Sequence, residues 1–109
     1  MANLHHGTTN GILLPHVLEF NRPASEERLR DVGLAMDLDV TLQPPAEAVV
    51  GRVRKLLKEV AIPPRLGDLG VTREMIPLLA KKAMADACHQ LNPRPCTEAD
   101  MVALYERAL

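Results

Sequence analysis

The apolar positions of this chain come in blocks with helical spacing, and prolines separate the blocks. Between Gly7 and Phe20, the residues Ile12, Leu13, Leu14, Val17 and Leu18 leave almost no polar side, a pattern that predicts a buried helix. Pro15 lies inside this block and is expected to bend the helix or end it, because its ring removes a backbone hydrogen bond. Ser25 then fits an N-cap, with Glu26 and Glu27 in a first turn where the helix dipole favours negative charge. Leu29, Val32 and Met36 would give this second helix a single apolar face.

The clearest helix follows in "PPAEAVVGRVRKLLKEV". Ala46, Val49, Val50, Val53, Leu56, Leu57 and Val60 fall on one face at i, i+3, i+4 and i+7. Pro45 sits where a helix start tolerates proline, and Pro63 and Pro64 lie just past the expected end. "RLGDLGVT" predicts a turn-rich connector, after which Thr72 or a neighbour opens a fourth helix through Ala87, with Pro77 in its early turns. "NPRPCTEAD" breaks the chain again, and Thr97 with Asp100 resembles a capping box for a last helix to about Ala108. No segment alternates apolar and polar residues over strand length. The pattern predicts an all-α chain of about five helices.

Composition supports that class. Hydrophobic residues make up 47% of the 109 positions, yet the aromatics are only Phe20 and Tyr105. Such a core must be built from Leu, Val, Ile, Ala and Met, which suits helices better than sheets. A net charge of −1 points away from nucleic acid and from acidic membrane surfaces as partners. Arg52, Arg54, Lys55 and Lys58 are expected to form a solvated helix face. Cys88 and Cys96 are too few for a disulfide scaffold, so a reducing, cytoplasmic setting is the expectation. Neither a basic leader nor an apolar run of membrane-spanning length is visible.

Histidine carries the candidate chemistry. His5, His6 and His16 lie within twelve positions, and histidine is the commonest metal ligand. Helical geometry argues against a shared ion, since His6 and His16 would stand about 15 Å apart along the axis. Metal–nitrogen bonds are only about 2.0–2.1 Å long. His5 and His6, being adjacent, should point in different directions. His89 follows Cys88, but no second pair at zinc spacing accompanies it, and Cys96 alone adds little. No glycine-rich phosphate loop and no G-x-S-x-G elbow is present. Asp37 and Asp39 fit a helix end rather than a catalytic pair. From its own residues, the chain lacks an active site.

Two stretches nevertheless resemble one family. "LHHGTTNGILLPHVLEFN" is similar to the segment "PHG-x-x-N-A-I-L-L-P-H-V-x-x-F-N" of the iron-dependent (group III) alcohol dehydrogenases. From "AIPPRLGDLGV" through "IPLLAKKAMADACHQLNPRP" to the closing "ADMVALYERAL", the chain also resembles that family's C-terminus in order and spacing. The resemblance implies part of the C-terminal helical domain of the dehydroquinate synthase-like fold, with residues 1–109 forming one truncated helical domain and the nucleotide-binding domain absent. It further implies Fe²⁺, or Zn²⁺ in some members, held by an aspartate and three histidines, with NAD or NADP as coenzyme. The last of those histidines carries over onto His6. His5 stands where other members often have proline, and the histidine matching His16 is not a ligand in the pattern.

On this footing the chain holds one corner of a metal site. It is expected to bind neither metal nor coenzyme alone and to be inactive alone. Association with copies of itself through exposed apolar helix faces is expected. One alternative is half of a split dehydrogenase, completed by a separate nucleotide-binding chain. Another is a small helical binding or structural protein derived from the domain.

Overall fold

The computed structural model describes residues 6–109, save the side chains of Ala87 and Cys88. All of its regular structure is helical. Helix α1 runs His6–Ala35, α2 Pro45–Glu59, α3 Ile76–Ala85 and α4 Glu98–Ala108. Short 3₁₀ turns at Leu66–Leu69, Arg73–Met75 and Ala87–Leu91 fill the connections.

The first two expected helices are two arms of α1, and the break falls at Ser25 rather than Pro15. Ser25 leaves the helical region at φ −135°, ψ 16°. Pro15 is buried in an uninterrupted stretch, where packing outweighs the missing hydrogen bond. Ser25 is not the expected side-chain cap either, since its buried Oγ has no hydrogen-bond partner. Near the break, the Phe20 carbonyl accepts a hydrogen bond from Arg94 at 2.8 Å. The bend lets both arms reach the shorter α2: Gly11 lies beside Leu57, and Gly33 beside Val49. At Gly33 an added Cβ would come within 2.8 Å of Val40, so a hydrogen there permits the approach.

Burial divides along the same bend. On the first arm, Ile12 joins Leu66, Val71 and Ala108 in a core closed by α4 and the connector. On the second, Leu29 packs against Ala46 and Val49 of α2. The first arm is therefore one-sided rather than buried all round, with Leu14 43% exposed. The second arm buries Leu29 and Gly33 but leaves Val32 and Met36 at the surface. On α2 the expected face is buried at Ala46, Val49 and Val50, then emerges at Leu56 and Val60. Arg54, Lys55 and Lys58 are solvated as expected, whereas Arg52 is half-buried with an unpartnered Nη1.

The ends of the helices follow local chemistry. Both α1 and α2 stop in Schellman geometry: Leu38 N–H donates to Gly33 O at 2.9 Å, and Ile62 N–H to Leu57 O at 2.9 Å. The left-handed positions are Asp37 (φ 60°) and Ala61 (φ 61°), neither of them glycine. The expected fourth helix opens with the 3₁₀ turn before Ile76 and ends as an α-helix at Ala85. The capping box of α4 forms: Asp100 N–H donates to Thr97 Oγ1, and Thr97 N–H donates to the Asp100 carboxylate.

Candidate functional site

Helical spacing places His6, Asn10, Leu13 and Val17 on one stripe of α1. That stripe forms one wall of an open cleft of about 660 Å³. The opposite wall comes from Met75, Leu79, Asp86 and His89, with Met101 and Tyr105 of α4 between the walls. His6 stands exposed at the mouth. Its Nε2 lies 3.0 Å from Asn10 Nδ2. The amide can only donate, so Nε2 accepts and the ring proton resides on Nδ1. An ion taken by Nε2 would have to displace the Asn10 amide.

His89 reaches the same cleft from 83 positions further along the chain. Its Nε2 lies 3.0 Å from the Met84 carbonyl, which can only accept. Nε2 therefore carries the proton, and Nδ1 is the nitrogen left for another partner. Tyr105 is half-buried here, and burial pushes its phenol above the ordinary value of 10.0. Sequence reasoning weighed His89 only against Cys88 and Cys96 and missed this convergence. No local signal carries it, because the fold alone sets the 3₁₀ turn after α3 opposite the start of α1.

The other candidates are dispersed. His5 lies outside the described residues. His16 sits on a different face of α1, where burial first, then Arg54 and Arg107, lower its pKa against the opposing pull of Glu19. Cys96 is a free thiol whose pKa is raised by burial and by Asp100, so it is poorly ionised at neutral pH. Asp39 receives hydrogen bonds from the Thr41 hydroxyl and backbone N–H, which hold its carboxyl below the ordinary value and fit it for a turn. Among the described residues, no three His, Cys, Asp or Glu side chains come together as a metal cluster. One imidazole falls short of the three or four protein ligands a transition metal takes, so these residues do not by themselves fit a resident metal.

Comparison with known proteins supplies the context. Residues 1–109 match the C-terminal model of the Fe-containing alcohol dehydrogenase family. The lactaldehyde reductase of Escherichia coli K12 is 42% identical over 109 residues, covering 97% of this chain and 28% of that protein. The 1,3-propanediol dehydrogenase of Klebsiella pneumoniae is 31% identical over 111 residues, covering 99% of this chain and 29% of its own length. Among solved structures, a 1,3-propanediol oxidoreductase superposes with a TM-score of 0.94 at 30% identity, over all of this chain and 29% of that one. An alcohol dehydrogenase from Oenococcus oeni gives 0.90 at 27% identity, over 99% of this chain and 29% of that one. The chain thus spans under a third of the length of these relatives.

Proposed function

Because this chain belongs to the Fe-containing alcohol dehydrogenase family through its C-terminal helical domain, we propose that it forms the helical wall of a metal-dependent, NAD(P)-linked alcohol or aldehyde oxidoreductase site. The observation that carries this reading is the position of His6 at the mouth of the α1–α4 cleft. His6 would contribute one ligand to Fe²⁺ or Zn²⁺. The remaining ligands and the coenzyme site would come from outside the described residues, which hold neither a ligand cluster nor a strand. The cleft walls, Leu13, Val17, Leu79 and Met101, would keep water from one side of the reacting centre. A separate nucleotide-binding chain is one way to supply what is missing, and activity is not expected from residues 1–109 alone.

The test has two arms. Metal content and NAD(P)-linked oxidation of small primary alcohols are measured on the purified chain with Fe²⁺ and Zn²⁺ added. In parallel, the chain replaces the matching segment of the E. coli lactaldehyde reductase. The expected result is no turnover from the chain alone and metal-dependent turnover from the chimera, falling to background with His6→Ala. A folded chimera indifferent to His6→Ala would refute the role of His6. Stoichiometric metal and turnover in the isolated chain would refute its incompleteness.

A further inference from the structure

Ile12, Pro15 and His16 lie on a face of α1 rotated by roughly 120° from the His6 stripe. Against them stand the end of α2 and the loop after it, enclosing a second cleft of about 400 Å³. Its floor is apolar: Ile12, Leu57, Ile62 and Pro63. Its rim is cationic. Arg54 and Lys58 are one helical turn apart on α2, so their side chains emerge side by side. Neither makes an ion pair with an acidic side chain among the described residues. His16 faces them from α1, with Arg107 also near enough to act on it and Glu19 the acidic group on its own helix.

An apolar trough under two unpaired cations suits a particular ligand. A purely apolar molecule would leave the cations unused, and a bare anion would leave the floor wet. A guanidinium offers parallel N–H donors that match a carboxylate in two places. The volume falls in the range of small-molecule sites, about 300–1,000 Å³. We propose that this cleft binds a medium-length alkyl carboxylate, its tail on Ile12, Leu57 and Ile62 and its head between Arg54, Lys58 and His16. The imidazole, neutral at neutral pH, donates an N–H to the head. The site lies apart from the His6 cleft and does not depend on the oxidoreductase reading.

Titrating the isotope-labelled full chain with octanoate, below the concentration at which it forms micelles, tests this by NMR. Octan-1-ol and acetate serve as the ligands lacking head or tail. Octanoate should saturate, with shifts concentrated at Ile12, His16, Leu57 and Ile62. The His16 titration midpoint should rise on binding. The paired substitution R54Q/K58Q, on exposed positions, should weaken octanoate at least about tenfold while leaving the rest of the spectrum in place. Equal binding of octanol, shifts scattered over the other exposed leucines, or an unchanged affinity in R54Q/K58Q would each overturn the proposal.

Discussion

At the residue scale, His16 and Thr97 show how a single side chain ties stability to pH. Burial and the two arginines lower the His16 pKa from 6.5, so the folded state binds its proton less readily than the unfolded chain does. Its contribution is intact above the unfolded value and is lost as pH falls through that value toward the folded one. His16→Gln should therefore flatten the decline in stability between about pH 7.5 and pH 5.5, measured by urea unfolding at each pH. Asp100 works in the carboxylate range: the N–H and hydroxyl of Thr97 lower its pKa, so its contribution persists until pH falls through that lowered value. Thr97→Ala should cost about 1 kcal/mol at neutral pH and weaken that acid-side dependence without removing it, because the backbone N–H at position 97 still donates to Asp100. The capping box was legible because its chemistry lies within four residues. The arginines acting on His16 and the α1 stripe that His89 shares a cleft with were not, because they lie far away in the chain.

At the element scale, the break in α1 and the ends of α1 and α2 decide how the arms meet. The sequence marked Pro15 as a bend or an end, yet packing holds Pro15 within the helix and the bend falls at Ser25. The ends of α1 and α2 were legible from Asp37 and from Pro63 and Pro64, but their left-handed stop was not, since Asp37 and Ala61 fill positions where glycine is usual. Ala61→Gly should stabilise the chain by up to about 1 kcal/mol in chemical denaturation, by relieving the strained backbone. The loop after α3 is fastened to the bend by side chains. Asn21 and Asn92 exchange amide hydrogen bonds at 2.9 and 2.6 Å, and Arg94 lies 4.2 Å over the Phe20 ring while bonding its carbonyl. Arg94→Ala should destabilise by about 2 kcal/mol. Arg94→Lys should recover little of it, since an ammonium cannot stack and reach the carbonyl in the same way. Hydrogen exchange should show the first effect at Leu91–Cys96.

At the scale of the whole molecule, the chain is a slab of 42 × 31 × 18 Å, under two helix diameters thick. Its accessible surface is 7103 Å², against about 6,000 Å² for a compact monomer of its 12.0 kDa mass. That excess, with Leu14, Leu56 and Val60 about half exposed, matches the sequence expectation of uncovered apolar faces. Light scattering across a concentration series should show reversible association, weakened by L14Q/L56Q; a monomer at every concentration would count against it. The all-helical class was legible from periodicity, and the family from two separated motifs, whereas the slab shape follows from which faces find partners. One contact at its edge has a practical side. Gly67 N–H donates to the Leu109 carbonyl at 3.2 Å, and a Cβ at Gly67 would stand 2.9 Å from that oxygen. A purification handle or fluorescent fusion joined at Leu109 must leave through this crowded corner, so it threatens the fold of whatever it was meant to report on. A polyhistidine handle brings imidazoles of its own and would compete with His6 for the metal being counted. Handles are better removed before either measurement begins.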